Sequence, residues 1–336
     1  MTVSTLGEHA LLARVLARLP RCPGSVLVGP GDDAAVMSTG RNQRLVVTTD
    51  AVVEEVHVSR RLSAPFDMGH RALAANLSDL AAMGAAPRWA LLSLLLPDGW
   101  LVADVESLVD GVVALAQVFN VAIVGGNITR SPGPLVVDIT AGGEAGPRKW
   151  LTRSGARPGD DLWLSGTVGA ARAGLEILRA LDDEQAMRDL VDTTVDRYRR
   201  PTPRVRLGLA MARGRAARAA VDLSDGLADA VRQLASASGC GAVIDGAAVP
   251  VDDAARRWWD ERGVDPLTAA LEGGDDYELL FAVPKRWGGR LRASLRRAQG
   301  PLTKIGVLTK HVGQTVVVRN GRTEDLPAGF EHFRRS

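Results

Sequence analysis

Residues 73 to 85 read Leu-Ala-Ala-Asn-Leu-Ser-Asp-Leu-Ala-Ala-Met-Gly-Ala, and no other stretch limits the possible folds as tightly. Leu73, Leu77, Leu80 and Met83 recur at helical spacing among small residues, which predicts a closely packed helix. Asp79 falls inside it. Taken alone, that carboxylate reads equally as a buried group bonded to backbone and as a ligand. It has company, however: Gly-Asp-Asp at 31–33, Thr-Thr-Asp at 48–50, Asp-Leu-Ser-Asp at 222–225 and Gly-Gly-Asp-Asp at 273–276 all fall at expected strand or helix ends. Carboxylates and hydroxyls gathered in this way read as a magnesium cage.

A chain of 336 residues exceeds what one core usually supports, so two domains are expected. With 46% hydrophobic and 24% charged residues, the composition is that of a soluble globular protein. The formal charge of +2, with arginines spread along the chain, argues against nucleic acid and membrane as partners. Cys22 and Cys240 lie far apart without metal-type spacing, which fits a reducing compartment. No signal-peptide pattern opens the chain, and the apolar run at 89–96 is too short to span a bilayer. A cytoplasmic location is the default expectation.

In order, the pattern predicts a helix at 8–19, a strand at 26–28 running into the Gly31-Asp32-Asp33 turn, and a strand at 44–49 ending on Asp50. Thr48, Thr49 and Asp50 offer the hard oxygens that magnesium accepts. A strand-like stretch at 52–58 carries His57, which reads as a substrate contact or as a half-exposed strand residue. After the Asp79 helix come a strand at 89–96, a helix at 102–119 and a strand at 121–124 that empties into Gly125-Gly126-Asn127. Such a glycine turn can admit an anion to its amides or hold nothing. A strand at 135–141 precedes a Gly- and Pro-rich connection at 142–147.

The second half opens on Arg153, a candidate phosphate clamp because a guanidinium grips phosphate oxygens in pairs. A strand at 161–165 and a helix at 168–180 follow, then charged helices at 182–198 and 203–213 whose charges read as solvated faces. The strand at 219–223 runs into Ser224-Asp225-Gly226, where Ser224 or Asp225 could cap the next helix. Capping does not explain Asp222. A strand at 277–283 follows the 273–276 carboxylates, and the tail carries Phe330.

Only four lysines occur, Lys149, Lys285, Lys304 and Lys310, and none follows a glycine, so no Walker A loop exists. His-Glu-x-x-His, Gly-x-Ser-x-Gly and Cys-x-x-Cys are also missing, which removes zinc hydrolysis and the usual serine nucleophile. Oxygen ligands, glycine turns and one placed arginine suit phosphoryl transfer, where positioning and charge neutralisation do most of the work.

Gly31-Asp32-Asp33-Ala34, Thr48-Thr49-Asp50, Asn76-Leu-Ser-Asp-Leu-Ala-Ala-Met-Gly-Ala, Leu151-Thr-Arg-Ser-Gly-Ala, Asp222-Leu-Ser-Asp-Gly-Leu and Gly273-Gly-Asp-Asp-Tyr-Glu-Leu together resemble the thiamine-monophosphate kinase family. That family sits in the aminoimidazole-ribonucleotide synthetase superfamily. The resemblance runs from Gly7-Glu8 to Phe330-Glu331-His332-Phe333. It implies an α+β fold of two domains, 1–146 and 147–336. The first has a ferredoxin-like sheet that dimerises and binds metal and ATP. The second is an α/β domain with a mixed sheet that completes the ATP and substrate site.

By the same resemblance, Asp33, Thr48, Thr49, Asp50, Asp79, Asn127, Asp222 and Asp225 would hold several magnesium ions. Gly125, Gly126, Asn127, Arg153 and Ser224 would contact ATP, and His57, Asp275 and Phe330 would meet thiamine monophosphate. Asp33, Asp50, Asp79, Asp222 and Arg153 would carry the catalysis, in a homodimer. The acceptor phosphate is largely doubly charged near neutrality, its second pKa being about 6, so no general base is required. The obstacle is repulsion between anions, about 4 kcal/mol per unit-charge pair at ~4 Å and an effective dielectric of ~20.

Two positions depart from the family pattern. Asn127 stands where Asp is usual, and Asp275 where Glu is common. Asn127 keeps an oxygen ligand but loses its charge, so it leaves open a slower kinase, a paralogue with another acceptor, or a nucleotide-binding dimer without turnover. Among superfamily relatives, selenophosphate synthetase is disfavoured because no Cys or Lys precedes Gly31-Asp32 in a Gly-rich loop. The hydrogenase-maturation dehydratase is disfavoured because the sequence ends Phe333-Arg334-Arg335-Ser336, without cysteine.

Overall fold

The structure, a computed structural model, describes residues 1–6, 8–28, 36–147, 149–181, 192–298 and 300–329. They form two compact units. One comprises Met1–Leu80 and Ala86–Pro147; the other comprises Ala81–Ala85, Arg148–Ala180 and the described residues from 192 onward.

The first unit begins with helices α1 (Val3–Leu6) and α2 (Glu8–Leu16) and a small antiparallel pair, β1 (Val26–Val28) and β2 (Val36–Met37). Its centre is a four-stranded sheet of β3 (Arg44–Val53), β4 (Ala86–Pro97), β5 (Ala122–Ser131) and β6 (Val136–Ala145), in the order β3-β6-β4-β5. Only β4 and β5 run parallel, and α4 (Val102–Phe119) makes the crossover that a parallel pair requires. Helix α3 (Pro65–Ala82) joins β3 to β4. Leu73, Leu77 and Leu80 are fully buried, as their spacing predicts, together with Leu108 of α4 and Ile139 and Val137 of β6. The opposite face of the sheet is open among the described residues, with Leu45 and Val47 exposed at 54% and 52%.

The second unit is built on a mixed seven-stranded sheet. Its strands are β7 (Asp161–Ser165), β8 (Ala219–Asp222), β9 (Gly241–Asp245), β10 (Leu279–Val283), β11 (Leu302–Thr309), β12 (Thr315–Arg319) and β13 (Arg322–Asp325). They lie in the order β13-β12-β9-β11-β7-β10-β8, with β9 and β12 parallel and the rest antiparallel. β10 is buried at all five positions, which its continuous apolar run Leu-Leu-Phe-Ala-Val requires. Helices α5 (Ala170–Arg179), α6 (Thr193–Arg199), α7 (Val205–Arg213), α8 (Leu227–Ala237), α9 (Asp253–Asp260), α10 (Pro266–Glu272) and α11 (Gly288–Ala298) complete the unit. Asp192, Asp252 and Asp265 cap α6, α9 and α10 by accepting bonds from first-turn amides. No helix among the described residues is long and apolar enough to cross a membrane.

The α+β architecture agrees with the sequence reading, while several local expectations change. β3 continues through Asp50 to Val53, and residues 54–58 form a turn bridged between Glu54 and Val58 rather than a second strand. β5 does not stop before its glycines but runs through them to Ser131. β6 extends to Ala145, so most of the expected connection is strand; Gly142 lies there because a Cβ would fall 2.1 Å from the Trp89 ring.

Candidate active site

The first unit divides the predicted ligands between two faces, because successive residues of a strand point to opposite sides. Thr48 and Asp50 share the helix-covered face of β3. Thr48 donates its hydroxyl proton to Asp79 of α3, so these two residues form one group, with Asp50 two positions along on the same face of β3. Thr49 faces the other way, where its hydroxyl lies 3.2 Å from Ile139 O, 3.2 Å from the Thr140 hydroxyl and 3.3 Å from an Asp138 oxygen. Asn127 pairs with Ser93, and Ser93 pairs with Asp138, which puts Asn127 on the same open face as Thr49. Thr49 and Asn127 nevertheless occupy opposite edge strands, three spacings or about 14 Å apart. Within one copy of the chain they cannot share an ion with each other or with the Thr48–Asp79 group.

Gly125 and Gly126 are strand residues rather than a turn. Their packing explains Gly126: a Cβ there would fall 1.8 Å from Leu92 O. His57 sits on the turn after β3, and its Nδ1 accepts the Val53 N–H at 3.1 Å. A neutral His57 therefore carries its proton on Nε2. Asp33 and Phe330 lie outside the described residues.

In the second unit the turn from β8 to α8 carries Asp222, Ser224 and Asp225. Helix α8 begins at Leu227 with Gly226 as its N-cap residue, so neither Ser224 nor Asp225 occupies the N-cap position that the sequence offered them. Asp222 is buried at the end of β8, Asp225 is half-buried, and the exposed Ser224 hydroxyl lies 3.3 Å from Asp225 Oδ2. The 273–276 loop is laced to this turn: the amides of Asp275 and Tyr277 donate to Ser224 O at 2.7 Å and Leu223 O at 3.0 Å. The Tyr277 hydroxyl lies 3.4 Å from Asp275 Oδ1. Two expected sites, the one at Asp222–Asp225 and the one at Asp275, are therefore a single surface.

Arg153 lies beside β8, since the Ala220 amide donates to Thr152 O at 2.9 Å. Its backbone is held by the Ser238 hydroxyl, while its exposed guanidinium has no partner among the described residues. That is the condition of an arginine available to an anion. Arg232 donates to the carbonyls of Leu326 and Pro327, which lays the last described residues along α8.

Two carboxylates have roles the sequence reading did not assign: Asp276, counted there among the oxygen ligands at 273–276, and Glu278. Asp276 is 2% exposed and accepts the amides of Gly169 at 2.7 Å and Ala171 at 3.3 Å at the start of α5. Burial outweighs those bonds and pushes its pKa up to about 7. Glu278 is fully buried. It accepts from Arg197 at 3.0 Å, from Arg204 Nε at 2.8 Å and Nη2, and from the Ser165 hydroxyl. Arg197 and Arg204 are thus not charges on solvated helix faces, as expected, but the counter-ions of a buried acid. The one available signal was the density of arginine at 197–204.

Among the described residues no three His, Cys, Asp or Glu side chains group as a metal centre. Hard oxygens occur instead as small sets, Thr48, Asp50 and Asp79 in one unit and Asp222 and Asp225 in the other. Each set suits magnesium, which keeps several waters and is commonly held by one or two carboxylates plus phosphate oxygens.

Carboxylate and hydroxyl oxygens on each of two α+β units, with the exposed Arg153 guanidinium on the second, define a phosphate-handling protein. Its two halves match the models for AIR synthase related proteins, the N-terminal domain over residues 31–145 and the C-terminal domain over 157–319. The chain is 38% identical over 334 residues to the thiamine-monophosphate kinase of Escherichia coli (strain K12), covering 97% of this chain and 98% of that protein. It superposes on the crystal structure of thiamine-monophosphate kinase from Stenotrophomonas maltophilia K279a with a TM-score of 0.77 at 37% identity, covering 94% and 96% of the two chains. A structure described as AaThiL complexed with AMPPCP and TMP matches with a TM-score of 0.75 at 31% identity, covering 99% of each chain. The chain belongs to the thiamine-monophosphate kinase family and is an enzyme of the kinase class.

Proposed function

We propose that this chain transfers the γ-phosphoryl group of ATP to thiamine monophosphate, giving thiamine diphosphate and ADP by direct in-line displacement, as a magnesium-dependent cytoplasmic homodimer. The observation that carries this reading is the match over 99% of each chain to a relative described with an ATP analogue and TMP. The exposed guanidinium of Arg153, carried on the same unit as the Ser224–Asp225 turn, supports it.

An acceptor phosphate dianion attacks without help from a base, so the chain's task is to hold two anions in line. Arg153 grips nucleotide phosphate oxygens, with Ser224 contributed by the same unit. His57 and Asp275 orient the thiamine substrate, Asp275 through the surface it shares with the Ser224–Asp225 turn. Thr48, Asp50 and Asp79 would hold magnesium in the first unit, and Asp222 and Asp225 in the second. Magnesium, when bound, neutralises the phosphate oxygens and the charge that develops on transfer. The Thr48 hydroxyl fixes the Asp79 carboxylate in orientation before any ligand arrives.

For the homodimer, the supporting feature is the open sheet face. Leu45 and Val47 are exposed on that face, which also carries the half-buried Leu91, Leu95 and Val136 alongside Thr49, Asp138 and Asn127, a mixed surface suited to a second copy.

Purified protein supplied with ATP, magnesium and thiamine monophosphate is expected to form thiamine diphosphate, detected as its fluorescent thiochrome after oxidation. ADP release without that product would assign the kinase to another acceptor. Nucleotide binding without ADP release would overturn the kinase reading altogether.

A further inference from the structure

Asp275 and Tyr277 both adopt left-handed backbone conformations, with φ of +67° and +49°. Neither is a glycine, and each such residue costs on the order of 1 kcal/mol or more, so surrounding contacts must hold the segment in place. Those contacts are identifiable. The Asp275 and Tyr277 amides are tied to Ser224 O and Leu223 O, and the Asp276 side chain is drawn inward to the start of α5. From the opposite side Arg197 of α6 reaches the same segment: one nitrogen, Nη2, lies 3.4 Å from Asp276 O and 3.0 Å from Glu278 Oε1. Arg197 thus bonds both the backbone between the two strained positions and the buried acid that follows them.

We propose that Arg197 is a positioning residue for the acceptor end of the site. By holding Asp276 O and Glu278 together, it keeps residues 275–277 in the left-handed path that turns Asp275 toward the Ser224–Asp225 turn. Glu278 serves as its anchor, and Arg204 and Ser165 fix Glu278 independently. The inference rests on the reading of Asp275 as a contact to thiamine monophosphate, and the experiment separates the two.

Arg197→Met leaves Glu278 paired with Arg204, so the fold is retained, and Arg197→Lys keeps a charge at the same place. Amide hydrogen exchange is followed at residues 275 and 277, alongside thermal unfolding and steady-state kinetics with ATP and thiamine monophosphate. Arg197→Met is expected to speed exchange at both amides and to raise KM for thiamine monophosphate about tenfold, with KM for ATP within about twofold of wild type. Arg197→Lys is expected to recover part of both effects. Unchanged exchange at 275 and 277 would overturn the positioning role, as would equal rises in both KM values. Faster exchange with an unchanged KM for thiamine monophosphate would uphold the backbone role of Arg197 and overturn Asp275 as the acceptor contact.

Discussion

Asp276 and Glu278 stand two residues apart at the entry to β10, both buried, and the fold satisfies them in opposite ways. Asp276 receives two helix amides, whereas Glu278 receives two guanidinium groups and a hydroxyl. Amide dipoles offset only part of the cost of burying a charge, while full positive charges at hydrogen-bond distance offset much more. Burial accordingly pushes the Asp276 carboxyl up to about 7.

That difference sets a pH dependence of stability. An unfolded Asp276 loses its proton near 3.8, while the folded one holds it to about 7. Between those values the native state binds the extra proton, so the contribution from Asp276 is present at low pH and declines as pH rises to about 7. Asp276→Asn keeps an acceptor for the Gly169 amide without the titration. Chemical unfolding from about pH 5 to pH 8 should show wild type losing stability relative to this variant, with the gap levelling above about pH 8. Parallel curves would refute the assignment.

The Thr48–Asp79 pair makes a second test. Asp79→Asn retains size and an acceptor for the Thr48 hydroxyl, so the melting temperature should stay within a few degrees of wild type. Magnesium-dependent turnover should fall by at least about a hundredfold if, as proposed, the lost charge holds magnesium against the phosphates. Thr48→Val should cost less, since the carboxylate remains and only its orientation is released. Near-normal rates in Asp79→Asn would exclude it as a ligand.

Gly126 offers a purely structural prediction. An added methyl group would meet Leu92 O at 1.8 Å, and backbone atoms on a neighbouring strand cannot swing aside. Gly126→Ala should destabilise the protein by roughly 2 kcal/mol or more, by analogy with overpacked cores. Denaturant titration measures this directly, and an unchanged midpoint would show that β5 sits farther from β4.

The open face of the first sheet predicts assembly. Leu45→Glu combined with Val47→Glu places two charges in a face proposed to pair with a second copy. Sedimentation should then report a monomer where wild type reports a dimer, with each unit still folded by circular dichroism. A variant that remains dimeric would move the interface elsewhere.

The sequence by itself determined what depends on neighbours along the chain. Leu73, Leu77 and Leu80 define the buried side of α3, the apolar run of β10 defines a strand buried throughout, and residues 102–119 form the expected helix. It also marked the oxygen-bearing motifs, because residue type and spacing are written locally. Only the tertiary structure decided how those motifs are used. Thr48 and Thr49 are adjacent and alike, yet strand alternation and the pairing with β6 send one to Asp79 and the other to Asp138 and Thr140. Asp275 and Asp276 are identical neighbours, and two left-handed residues turn one outward and the other into the core. Glu278 finds Arg204 74 positions away and Ser165 113 positions away. No periodicity encodes partners at such separations, because they are fixed by which strands pair and in what register.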